Sequence, residues 1–136
     1  MTPLVPPFIQ HVIQQKAGAL AYIPTRASLG WRYSSYTWNA TTKQLTVRIH
    51  DKHYKLSNTN HTIAVTAEYF AGTLATCGDG NEKSYQVDGN KVWSSGDNLV
   101  WRCVKGAQGR IVKILASGGK YPAVGLAIIA ASVKRI

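Results

Sequence analysis

Two cysteines, Cys77 and Cys103, bracket the stretch that most constrains the fold of this chain. After Cys77 comes Gly78-Asp79-Gly80-Asn81, a turn by residue chemistry. Tyr85-Gln86-Val87 and Lys91-Val92-Trp93 then read as two short strands joined by Asp88-Gly89-Asn90. Asp-Gly and Gly-Asn both accept positive φ, as the primed hairpin turns require. A further strand ends in Trp101-Arg102-Cys103. A disulfide between Cys77 and Cys103 would close this hairpin region and belongs to an oxidising place, extracellular or at the cell envelope. The alternative is a cytoplasmic protein with two reduced, buried thiols.

The rest of the chain surrounds this region with strands and two helices. Residues 1–7 hold Pro3, Pro6 and Pro7 and predict an extended lead-in. Phe8, Ile9, Val12 and Ile13 recur at helical spacing, and Gly18 ends that helix. Leu20-Ala21-Tyr22-Ile23 is a short apolar run halted by Pro24. Leu45, Val47 and Ile49 alternate with polar residues, which predicts a half-buried strand with all three inward. His53-Tyr54-Lys55-Leu56 reads as a short partner strand. Thr62 to Phe70 is another strand, with Ile63, Val65 and Ala67 on one face. Residues 110–116 are apolar on both sides through the middle, which predicts a central strand. Leu126, Ile129, Ala130 and Val133 predict a terminal helix over residues 125–135, with Lys134 and Arg135 near its C-terminus. The fold class is α+β: one domain over residues 1–136, an antiparallel β-sheet with an N-terminal and a C-terminal helix packed on it.

Charge narrows the range of partners. Sixteen Lys and Arg face six Asp and Glu, for a net charge of +10. Asp79, Glu82, Asp88 and Asp97 all lie between the cysteines, so the remaining body is strongly positive. Such a body attracts polyanions, whether an acidic envelope polymer, anionic lipid or nucleic acid. The plainer reading is solubility alone. No segment approaches the ~20 apolar residues of a membrane span, and the first residues carry no signal-peptide pattern.

Three stretches carry a resemblance to exported domains of unknown function from Gram-positive, especially actinobacterial, genomes. Ala21-Tyr22-Ile23-Pro24-Thr25 followed by Gly30-Trp31-Arg32-Tyr33 resembles their opening strand and turn. Gly89-Asn90-Lys91-Val92-Trp93 followed by Val100-Trp101-Arg102-Cys103 is similar to their paired strands ending at a cysteine. Residues 127–136 resemble their closing helix. Leu29 stands where that group has a proline. The resemblance implies an exported, envelope-associated module and supplies neither an activity nor catalytic residues.

The residues themselves point to no reaction. Gly78-Asp79-Gly80 lacks the spacing of a phosphate loop, and two widely separated cysteines make no zinc pattern. His50 and His53 flank Asp51, but on a strand they face opposite ways. A small ribonuclease needs an acid, a base and a cation at one place. His11, His50, His53, His61 and Glu68 supply the types without the spacing. No catalytic, cofactor-binding or metal-binding residues are therefore assigned, and no cofactor is expected. Trp31 with Tyr33, and Tyr36 with Trp38, should lie on opposite faces of their strand, one pair in the core and one exposed. Exposure of the second pair would make a basic, aromatic binding face of Arg32, Tyr36, Trp38, Lys43, Arg48, Lys52 and Lys55. The function expected is a non-enzymatic exported or envelope module binding an anionic partner there. A nucleic-acid-binding protein is the alternative, and a small secreted hydrolase such as a ribonuclease comes third.

Overall fold

The computed structural model describes residues 3–27, 30–51, 61–78, 83–96, 98–118 and 121–136. Helix α1, Pro7–Ala17, starts on a proline whose fixed φ suits the first helical turn. It stops at Gly18, where φ is 55° and the amide returns to the Gln14 carbonyl. A single 3₁₀ turn, Gly18–Leu20, leads into the two-residue strand β1, Tyr22–Ile23. Strands β2 (Arg32–Asn39), β3 (Gln44–His50), β4 (Thr62–Phe70), β5 (Lys83–Val87), β6 (Asn90–Ser94), β7 (Leu99–Lys105) and β8 (Ile111–Gly118) follow. They form one seven-stranded sheet in the order β2-β3-β4-β8-β7-β6-β5, with every pairing antiparallel. As its double-sided apolar pattern predicts, β8 is the middle strand. Helix α2, Ala123–Ala131, packs across β5 to β8, and strand β9, Lys134–Arg135, then pairs with β1.

The sheet buries one face. Leu45, Val47 and Ile49 of β3 are all buried, as are Ile63, Val65 and Ala67 of β4, and Val112, Ile114 and Ala116 of β8. Their alternation with half-exposed neighbours is what a sheet covered on one side imposes on its sequence. The β5–β6 hairpin turns through Asp88 and Gly89, both at positive φ (50° and 81°), with Val87 opposite Asn90.

Strand β7 breaks the alternation, because Val100, Trp101 and Arg102 are buried in succession. Val100 and Arg102 face the helices. Trp101 faces the other side, beneath residues 71–78, and its indole N–H donates to the Cys77 carbonyl at 2.8 Å. The Cys77–Cys103 disulfide fastens this strap to the sheet, with the two Cα atoms 6.1 Å apart.

Two expectations need correction. The C-terminal helix covers Ala123–Ala131, not residues 125–135, and Lys134 and Arg135 lie in β9 opposite Ile23 and Tyr22. Ser132 ends the helix. Its hydroxyl bonds the Ile129 carbonyl at 2.7 Å, and its own carbonyl accepts from the Thr25 hydroxyl at 2.6 Å. The second correction is the parity of β2. The register with β3 shifts between Tyr33 and Ser35, so Tyr33 lies opposite Ile49, Tyr36 opposite Val47 and Trp38 opposite Leu45. A bulge adds one residue and resets which face follows. Tyr33, Tyr36 and Trp38 therefore share the covered face and, with Trp31, pack against the core. The proposed partner strand at His53-Tyr54-Lys55-Leu56 lies outside the described residues.

Ile49 is fully buried on the inner face. Ile49→Ala should lower unfolding free energy by about 2–5 kcal/mol, read from a denaturant titration. Reduction of Cys77–Cys103 should cost roughly 3–4 kcal/mol in the chain-entropy model. It should also free the strap and expose Trp101, seen as a red shift of tryptophan emission that is absent in Trp101→Phe.

Candidate anion-binding cleft

The β2–β3 hairpin, the end of β4 and the start of β8 lie together beside the C-terminus of α1. There, a cleft of about 380 Å³ opens on the covered side. Lys16 and Leu20 line it from the helix and its 3₁₀ turn, Trp38 and Lys43 from the β2–β3 hairpin, Tyr69 from β4, and Arg110 from the start of β8. Its volume falls in the range of small-ligand sites, roughly 300–1,000 Å³.

Local structure fixes each of these side chains. Asn39 closes the β2–β3 turn with its side-chain carbonyl, which accepts the amides of Thr41 (3.0 Å) and Thr42 (3.1 Å). That turn leaves Lys43 at φ 55°, a left-handed backbone that costs a non-glycine residue about 1–2 kcal/mol. Arg110 follows a tight turn in which the Gly106 amide donates to its carbonyl at 2.7 Å and its own amide donates to Ala107 at 3.2 Å. The turn places the guanidinium over Tyr69, its central carbon 3.3 Å from the ring centroid. The result is three cations, Lys16, Lys43 and Arg110, around two aromatic rings, with no acidic residue in the lining. Glu68 is a near neighbour in sequence but sits on the other face of β4, bonded to Gln44 at 2.8 Å.

The structure divides the binding face expected from the sequence. Trp38 and Lys43 come together in the cleft. Tyr36 shares the face of Trp38 and is half-buried against the core. Burial pushes the neighbouring Tyr33 phenol up, and Tyr36 adds to the effect. Arg32 and Arg48 lie on the opposite, uncovered face, where Arg48 donates to the Thr37 hydroxyl at 2.9 Å. Lys52 and Lys55 lie outside the described residues. Lys16, Tyr69 and Arg110 were not legible as site residues. Each belongs to a different element, and only the tertiary fold joins them.

A second polar cluster stands at the other end of β3 and β4. The Asp51 carboxylate accepts from the Tyr121 hydroxyl at 2.8 Å and pairs with His61 Nδ1 at 2.9 Å, and the Asp51 amide donates to the His61 carbonyl. Trp31 packs on Tyr121 with ring centroids 5.1 Å apart. Gly118 lies beneath, where a Cβ would come within 2.9 Å of the Tyr121 ring. The sequence drew attention to His50 with Asp51. The Asp51 carbonyl approaches the His50 ring at 3.2 Å, and the carboxylate pairs with His61. Among the described residues no group of three His, Cys, Asp or Glu side chains could hold a metal ion.

Burial, then the hydrogen bond to Asp51 and the charge of that carboxylate, raise the Tyr121 phenol far above its ordinary value. A raised folded-state pKa means stabilisation that is complete below the unfolded value near ~10 and lost as pH climbs through the folded one. Tyrosinate absorbance should therefore show one phenol ionising only after the others, together with unfolding. Tyr121→Phe should remove that last step and flatten the loss of stability at alkaline pH.

No protein-family profile matches the chain, and no curated protein matches it. Among solved structures, it is similar to a chain in the crystal structure of MucB in complex with MucA(peri), at 12% identity and a TM-score of 0.47. The superposition covers 84% of this chain and 36% of that one, so the chain spans about a third of its neighbour's length.

Proposed function

We propose that this protein is a non-enzymatic binding module of the extracellular space or cell envelope, holding an anionic polymer at the cleft beside α1. The observation that carries this reading is the cleft itself: Lys16, Lys43 and Arg110 converge beside Trp38 with no carboxylate among the lining residues. The disulfide supports an oxidising compartment. No helix of the described residues is long and apolar enough to cross a membrane. A net charge of +10 adds long-range attraction for a polyanion. The His61–Asp51 pair lies at the far end of β3 from Lys43, away from the three cations.

The test is retention on immobilised heparin, a polyanion, from low to high salt. Each polymer charge neutralised releases condensed counterions, so wild-type retention should fall steeply with salt. The double variant Lys16→Glu, Lys43→Glu should elute at much lower salt, whereas Arg32→Glu, Arg48→Glu on the opposite face should elute close to wild type. Lys43→Gly is the sharper single change, because it removes the cation while relieving the left-handed backbone, so retention should fall with stability kept or raised. Loss confined to the Arg32 and Arg48 variant would move the site to the uncovered face. No retention of the wild type at low salt would remove the function.

A further inference from the structure

We infer that the polymer is an acidic polysaccharide, read one residue at a time: a sugar ring rests on Trp38 while its charged group meets Lys16, Lys43 and Arg110. This deepens the proposed function and rests on it. The cleft offers two unlike surfaces side by side. Lys16, Lys43 and Arg110 are exposed and suited to carboxylate or sulfate. Trp38 is half-buried, supported from below by the core, and lines the same space. An indole face supported in this way suits the apolar C–H face of a pyranose, while Gln15 and the lysines at the rim can hydrogen-bond its hydroxyls. A volume of about 380 Å³ is near the small end of ligand sites and suits one ring with its substituents.

The same geometry argues against single-stranded nucleic acid. That ligand is held by successive aromatic platforms, each stacking one base. Here Tyr69, the other ring of the cleft, is already covered by Arg110 at 3.3 Å. Trp38 is left as the stacking surface of the cleft, enough for one ring in a repeating polymer and short of a base-by-base track. The disulfide supports an oxidising compartment, in keeping with the envelope location proposed above, where acidic glycans occur.

The experiment compares three probes of matched charge number by titration calorimetry at one moderate salt concentration. They are an oligogalacturonate, a ringless inorganic polyphosphate and an oligodeoxythymidylate. Wild type should bind the oligogalacturonate at least tenfold more tightly than either of the others, and binding should shift the Trp38 indole N–H resonance, assigned by its absence in Trp38→Phe. Trp38→Leu should remove the tenfold preference and leave polyphosphate binding intact. Retained polyphosphate binding also shows that the variant has folded. Lys43→Gly should weaken all three probes together. Equal affinity for polyphosphate and oligogalacturonate, an unmoved Trp38 resonance, or tighter binding of the oligodeoxythymidylate would each overturn the inference while leaving a polyanion site at the cleft. Failure of all three probes to bind would overturn the proposed function with it.

Discussion

The guanidinium of Arg102 ties together three parts of the fold: the β5–β6 hairpin, β7 and the segment after α2. It is only 8% exposed and lies on the covered face of β7. One nitrogen donates to the Asn90 side chain at 2.8 Å, and another to the Val133 carbonyl at 2.9 Å. Val133 follows the end of α2, where carbonyls lack helical partners and the helix dipole is negative. The cation thus meets dipoles in place of a carboxylate. Burial lowers its pKa from the ordinary value, with Tyr22 opposing the shift, yet a guanidinium stays charged across any physiological range. Removing it would leave the buried Val133 carbonyl without this partner, where an unmet polar group costs about 1–3 kcal/mol, and would release the part-buried Asn90 side chain. One side chain therefore fixes the β5–β6 hairpin, the sheet and the end of α2 relative to one another.

Once α2 is seated, the two faces of the sheet have different tasks. The covered face holds the apolar core and, at its α1 end, the cleft. The uncovered face is polar on one side, where Thr46 contacts Thr66 at 3.3 Å and Gln44 bonds Glu68. On the other side it is aromatic and closed by the disulfide-held strap. Lys113 bridges the two, its ammonium 5.5 Å from the Trp101 ring centroid and 5.7 Å from that of Phe70. These contacts explain how a face with no α-helix on it among the described residues can still bury a tryptophan.

Much of this was legible from local chemistry. The period of two in β3, β4 and β8 is imposed by one-sided burial, so Leu45, Val47 and Ile49 could be read directly, and the apolar residues of β8 marked it as central. The Asp88-Gly89 turn was legible because few residues accept positive φ twice in succession. The β2 bulge was not, since Ser34-Ser35 carries no mark distinguishing an extra residue from a regular one, and the pairing with β3 decides it. The end of α2 was hidden for a similar reason. Ser132 and Val133 fit a continuing helix, and only Thr25 and Arg102, distant in sequence, capture their carbonyls. The cleft was half legible: Trp38 and Lys43 share a hairpin, while Lys16, Tyr69 and Arg110 reach it by tertiary folding alone.

The β1–β9 ladder has a consequence for the order in which the chain folds. It joins Tyr22 to Arg135 and Ile23 to Lys134, and the Ile136 amide closes on the Ala21 carbonyl at 2.9 Å. Thr25 and Ser132, beside it, are 107 residues apart in sequence. Two short strands cannot offset the entropy of closing so long a loop by themselves. The intervening sheet must first bring them close, after which closure is nearly local. The ladder is then a clasp that can shut only after the sheet has formed. Because the C-terminal segment it secures also carries the Val133 carbonyl, unclasping withdraws one of the groups that hold the Arg102 charge in the core. A fluctuation at β1 and β9 is in this way transmitted to the buried guanidinium of Arg102.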